Sequence, residues 1–199
     1  MESTPTIVIL GGPNGAGKST SAPELLASHL GITTFVNADV IARGLAAFDT
    51  ASADFAAGRL MLNRIHELGA ARASFAFETT LSSRSLAPWI GGLVASGYEL
   101  HICYLWLNSP DLAVERVLAR YRSGGHLVPE ADIRRRYSRS AANFLQSFKP
   151  LATSWQVYDN SGADGPALVA QGGRGLPHII RSPEVWTRFR SVADEAANQ

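Results

Sequence analysis

Residues 11–20, GGPNGAGKST, set two glycines, a lysine and a serine in the spacing Gly12-x-x-x-x-Gly17-Lys18-Ser19. That spacing suits the phosphates of a nucleotide. Glycine lets successive backbone N–H groups curl around phosphate oxygens. A lysine puts a compact positive charge beside the β and γ phosphates, and a serine hydroxyl is a hard oxygen ligand for Mg²⁺. Gly12, Pro13, Asn14, Gly15, Ala16, Gly17, Lys18, Ser19 and Thr20 are therefore the ATP-binding candidates, with Lys18 also catalytic and Ser19 the metal ligand. The alternative is a glycine-rich turn that holds nothing. It does not account for the apolar strand directly before the motif and the helix directly after it. ATP and Mg²⁺ are the expected ligands; hydrolysis, transfer and sensing all stay open on these residues alone.

Transfer to a hydroxyl requires a carboxylate that orients the hydroxyl and accepts its proton. Asp39 follows "FVNA" after the second β-like run and is the candidate base, with Asn37 beside it as a substrate-binding candidate. Arg43 falls one helical turn later on the same face, where it could hold an anionic acceptor or Asp39 itself. The plainer reading is an N-cap aspartate followed by a solvated arginine. Glu78 closes "SFAF", and with Thr80 it opens the polar cluster "ETTLSSRS" over 78–85. Such a cluster can hydrogen-bond a sugar or a similar polyhydroxylated acceptor, although helix capping explains some of its hydroxyls.

The segment "ERVLARYRSGGHLVPEADIRRRYSRS" over 115–140 carries Arg116, Arg120, Arg122, Arg134, Arg135, Arg136 and Arg139 around the pair Gly124-Gly125. Helical patterns on both sides of this pair predict a movable lid over about 120–136. Most of these arginines should be solvated or paired with nearby acids. One or two should reach the transferring phosphate, whose loose transition state spreads charge over oxygens that a guanidinium fork matches. Arg120 and Arg134 are the choices, as catalytic candidates. His126 is either a phosphate contact or a packing residue.

Three signatures are missing. A guanine-reading Asn-Lys-x-Asp has only "NSPD" at 108–111 as a near match, and no Leu-Ser-Gly-Gly-Gln transporter signature occurs. The fourth strand ends "LWLN" at Asn108, without a Walker B acid, so the acids must come from elsewhere.

Five β-like runs position these groups: 6–10, 33–37, 74–78, 99–107 and 154–159, with a sixth at 167–171. Helical patterns separate them, which predicts an α/β chain of the P-loop NTPase/kinase type. Its sheet would be parallel, five- to six-stranded and flanked by helices. In a doubly wound sheet the carboxyl ends of the strands open on one crevice, so the P-loop, Asp39 and Glu78 should share a cavity. A chain of 199 residues fits one domain over 1–199, with a last strand and helix over about 165–199. Its 46% hydrophobic and 18% charged residues and net charge of +1 argue for neither nucleic-acid nor membrane partners. Met1–Thr6 lacks the features of a signal peptide, and the single Cys103 sits in an apolar run, so a cytoplasmic protein is expected.

With "GGPNGAGKST", "FVNADVIARGL", "FAFETTL" and "LARYRSGGHLVPEADIRRRYSRSAANF" in this order, the chain resembles small bacterial members of the zeta toxin family over about residues 6–160. The resemblance implies transfer of the γ-phosphate of ATP to a hydroxyl of a small acceptor, with UDP-N-acetylglucosamine as the named candidate, and an antitoxin partner. It implies that Lys18 and Ser19 serve ATP and Mg²⁺, Asp39 is the base, Glu78 and Thr80 touch the acceptor, and Arg120 attends the γ-phosphate. The second lid arginine of the longer toxins has no unambiguous counterpart, with His126 or Arg134 offered. A non-toxic metabolite kinase and an ATP-sensing binding module are the alternatives.

Overall fold

The computed structural model describes residues 4–27, 32–46, 50–124 and 127–197. Its frame is a seven-stranded sheet: β1 (Thr6–Gly11), β2 (Phe35–Val36), β3 (Phe75–Thr79), β4 (Glu99–Trp106), β5 (Ser154–Asp159), β6 (Ala167–Gly173) and β7 (Leu176–Ile180). The spatial order is β2-β3-β1-β4-β5-β6-β7. The first five strands run parallel, whereas β6 and β7 run antiparallel at one edge. The helices are α1 (Lys18–Ala27), α2 (Ala38–Leu45), α3 (Thr50–Ala70), α4 (Leu86–Ala95), α5 (Pro110–Arg122), α6 (Glu130–Asn143) and α7 (Pro183–Ala197). None of them, among the described residues, is long and apolar enough to cross a membrane.

The α/β reading holds, and the sheet exceeds the expected one at its antiparallel edge. β7 escaped the sequence reading because "LPHII" contains Pro177, is short and alternates weakly. At an edge a proline gives up no ladder bond, so the strand tolerates it. Two further boundaries shifted. The second strand shrinks to Phe35–Val36 because Asn37 leaves the ladder to cap α2, its Oδ1 accepting from the N–H groups of Asp39 and Val40. The helical pattern that the sequence carries over 130–148 is α-helical only to Asn143 and continues as a π-helical turn over Phe144–Phe148.

β1 explains the placement of the P-loop. Its Ile7, Val8, Ile9 and Leu10 are all fully buried, as expected of a central parallel strand covered on both faces. The chain therefore emerges at Gly11 between the ends of β3 and β4 and turns directly into α1. Under the other half of the sheet, α7 seals the core with aromatic contacts: Phe189 lies 5.4 Å from Tyr104 and 5.7 Å from Trp106, and Trp186 stacks on Trp155 at 5.8 Å. Trp106, Trp155 and Trp186 are thus packing residues, and Trp89 packs against His66. Cys103 is buried, and burial pushes its thiol up to about 11. Replacing fully buried Phe189 should be costly. Phe189→Ala is expected to destabilise the fold by about 3–5 kcal/mol, read as a lower urea midpoint at unchanged slope.

Candidate active site

The P-loop closes around the ammonium of its own lysine. Lys18 Nζ donates to the carbonyls of Gly12 at 2.9 Å and Pro13 at 3.0 Å and lies 3.7 Å from Glu78 Oε1, with only 6% of the residue exposed. Burial pulls its pKa below the ordinary lysine value, opposed by the charges of Glu78 and Asp39 and assisted by Arg120. Gly12 makes this turn possible. At φ +140° it passes so close to β4 that a Cβ would stand 2.2 Å from the Leu105 carbonyl oxygen. Gly17, at φ +80°, leaves room in the same way for the amide of Asn160.

Glu78 sits at the end of β3, the strand next to β1, and its Oε2 accepts from the Ser19 hydroxyl at 2.7 Å and from Asn37 Nδ2 at 2.8 Å. The acid that β4 lacks therefore stands on β3, on the other side of β1. The resemblance put Glu78 on the acceptor; its contacts put it on the lysine and serine of the P-loop. Asn37 likewise spends its side chain inside the site, capping α2 with its oxygen and holding Glu78 with its nitrogen.

Asp39 rides in the first turn of α2, and its Oδ2 lies 3.7 Å from Arg120 Nη1 at the end of α5. Asn14, Lys18, Ser19, Asp39, Glu78, Thr80 and Arg120 all line one cleft of about 790 Å³. A second cavity of about 450 Å³ shares Asn14, Ala38, Asp39 and Arg120 with it and continues to Val128, Asp132 and Arg136. Asp39 and Arg120 thus stand where the two spaces meet.

Two sequence expectations end elsewhere. Arg43 is exposed, reaches back to the Asp39 carbonyl at 3.4 Å and lines neither cavity. Arg134 does not face the phosphate site: it pairs with Asp111 at 2.7 Å and Glu130 at 2.8 Å on the outer side of α6. Two residues further on, about 200° around a helix, Arg136 points the other way, into the second cavity. Among the described residues Arg136 has no acidic partner. His126 and Gly125 lie outside the described residues. Thr80 lines the main cleft, and its hydroxyl is shared with Ser82 at 2.9 Å.

Among the cleft residues that sequence reasoning missed, two fasten the P-loop. Asn160, just past β5, donates from Nδ2 to the Ala16 carbonyl at 2.8 Å, fastening the P-loop from a point 144 residues away. Arg116 donates to the carbonyl of Asn160 at 2.7 Å and lines the cleft. The only signal for Asn160 was its place after a β-like run in a sheet whose strand ends converge.

Residues 7–142 match the family model described as an AAA domain. The chain belongs to the AAA domain family. The match runs from β1 through α6 and so takes in the P-loop, Asp39, Glu78 and both arginine-bearing helices, α5 and α6. A curated uncharacterized protein of Haemophilus influenzae is 29% identical over 63% of this AAA domain chain and 88% of its own length. Among solved structures, a chain of the AvrRxo1-ORF1:-ORF2 complex with ATP matches at TM-score 0.75 and 18% identity over 95% of this chain; this chain spans 64% of that one. A chain of the PezAT chromosomal toxin-antitoxin system of Streptococcus pneumoniae matches at 0.65 and 15% identity, with 100% and 89% covered. A gluconokinase from Sinorhizobium meliloti matches at 0.50 and 16% identity, with 100% and 99% covered. At these identities the likeness is one of fold, the P-loop kinase fold.

The buried lysine makes a pH prediction. Folded Lys18 releases its proton below its ordinary value of 10.5, so between those two points the unfolded chain binds more protons and this residue's contribution to stability rises with pH. Lys18→Met should lose ATP binding. It should also lose that rising component, seen as a wild-type-minus-variant stability difference that grows as the pH is raised toward the ordinary lysine value of 10.5 in urea titrations.

Proposed function

We propose that this protein is an ATP-dependent phosphotransferase of the zeta toxin type, moving the γ-phosphate of ATP to a hydroxyl of a small acceptor. The observation that carries this reading is the position of Asp39, beside Arg120 at the junction of the P-loop cleft and a second cavity. A nucleotide-binding module needs the P-loop; it has no need of a carboxylate and a guanidinium at the mouth of a second space. The second space gives the acceptor a place to sit across from the donor.

Each step then falls to a named group. Lys18 holds the β and γ phosphates once its bonds to the Gly12 and Pro13 carbonyls are exchanged for phosphate oxygens. Asp39 orients the acceptor hydroxyl and takes its proton as the oxygen attacks phosphorus. Arg120 stabilises charge on the transferring group. Ser19 and Glu78 form the oxygen pair that would hold Mg²⁺, and no cluster of three His, Cys, Asp or Glu occurs among the described residues. That donor set fits an ion that fills its shell with phosphate oxygens and water. When bound, the ion neutralises charge on the phosphates.

UDP-N-acetylglucosamine is the candidate acceptor, by the resemblance to zeta toxins, and an antitoxin the candidate partner, acting in the cytoplasm. The neighbour from the PezAT toxin-antitoxin system supports the partner proposal through shared fold. Incubation of the protein with γ-labelled ATP and a metabolite extract should yield a labelled small molecule, with UDP-N-acetylglucosamine tested separately. Asp39→Asn should lower that transfer by about 10²-fold or more while ATP binding persists. ATP binding without any labelled acceptor would instead identify a sensing module.

A further inference from the structure

The chain has two lysines, Lys18 and Lys149, and the P-loop uses only the first. Lys149 lies outside both cavities of the candidate active site, in the 3₁₀ turn Lys149–Leu151 that leads into β5. Its Nζ stands 4.7 Å from the ring centre of Trp155 and 5.7 Å from that of Trp186. Both indoles are buried and nearly parallel, 13° apart, and His178 meets each of them edge to face, at 5.0 and 5.5 Å. Trp155 is seated in turn on β6, where a Cβ at Gly172 would come within 2.8 Å of the indole. The aromatic wall beside the amine is therefore held in place.

An indole face attracts an ammonium, yet it offers no lone pair to the ammonium N–H groups. Among the described residues no carboxylate pairs with Lys149 and no hydrogen bond holds its ammonium. The charge that acts on it most is another cation, Arg190 on α7, and His178 on β7 feels both. Burial first and Arg190 second hold its pKa below the ordinary lysine value. An amine attacks only when neutral, and desolvation or a neighbouring cation is what makes a lysine nucleophilic. Lys149 has both, and it is only half-buried, so a small reagent reaches it.

We infer that Lys149 is an acylation site, a nucleophilic amine that accepts the acyl group of an acyl phosphate. The neutral Nζ attacks the carbonyl carbon, a C–N bond forms, and the C–O bond to phosphate breaks with its electron pair. The amine proton leaves with the phosphate, so the products are an amide and hydrogen phosphate. Arg190 draws the anionic donor and its leaving group, which favours this class over neutral acyl donors. An acylated Lys149 has no charge left for the indoles to attract, and none to repel Arg190. Modification thereby alters the seam between β5 and α7 and leaves the P-loop intact. The site is independent of the proposed transferase activity.

The full chain is incubated with acetyl phosphate, once folded and once unfolded in urea at the same pH, and acetylation of each lysine is followed by peptide mass mapping. Lys149 should react about fivefold or more faster in the folded chain. Lys18, tied to two carbonyls and Glu78, should react more slowly folded than unfolded, and its protection reports that the fold is intact. Arg190→Gln should slow the folded reaction of Lys149 by about threefold or more, and by a larger factor for acetyl phosphate than for neutral p-nitrophenyl acetate. Lys149 that reacts no faster folded than unfolded would mean that the indoles shield a packing residue, and would overturn the site without any variant. An unchanged rate in Arg190→Gln with Lys18 still protected would overturn it as well. Equal slowing for both donors would overturn the assignment to acyl phosphates.

Discussion

The constraint on which this site depends is the burial of one positive charge. An ammonium in an apolar interior is expensive unless paired and hydrogen-bonded, and Lys18 has both kinds of partner, two P-loop carbonyls and the Glu78 carboxylate. Satisfying it fixes several distant choices at once. The loop must curl tightly enough to turn two carbonyls inward, which puts Gly12 against the β4 backbone and excludes a side chain there. An acid must end the strand beside β1, and β3 provides it. That acid must be held in turn, by Ser19 and Asn37. Asn37 then starts α2 and so places Asp39.

A cradle built this way is exchangeable. The carbonyl bonds of Lys18 and the serine–glutamate bond are contacts that, under the proposed function, phosphate oxygens and a hard cation would replace in kind, so the same geometry is satisfied before a ligand arrives and complementary to it afterwards. The parts that do not exchange are those that tie the loop to the sheet. Asn160 fastens Ala16 and Arg116 fastens Asn160, so that the far side of the P-loop hangs from β5 and α5.

Helix α6 shows how helix phase divides similar residues. Arg134 and Arg136 are equal in type and nearly equal in position, yet one is tied to Asp111 and Glu130 outside the fold and the other opens on the cavity beside Asp39. Ile133 and Tyr137, both buried, set the phase of α6 and decide which arginine faces in. Charge counting could not separate them.

The sequence by itself determined the local features: a phosphate-binding turn between a strand and a helix, the parallel α/β frame and the apolar stripes of the lid helices. The turn, the frame and the stripes of α5 and α6 are legible because glycine spacing and hydrophobic period report backbone conformation directly. It also named Asp39, Glu78 and Thr80, since the strand ends of such a sheet converge, and Arg120, from its place at the helix end before the paired glycines. Only the tertiary structure decided what each group touches. Glu78 faces Lys18 and Ser19 because β3, and not β4 alone, borders β1. Arg43 stays outside because its turn of α2 faces solvent, and Asn160 enters because β5 ends beside the P-loop. Strand order and helix phase relative to neighbouring elements are relations between segments far apart in the chain, and spacing within one segment carries no record of them.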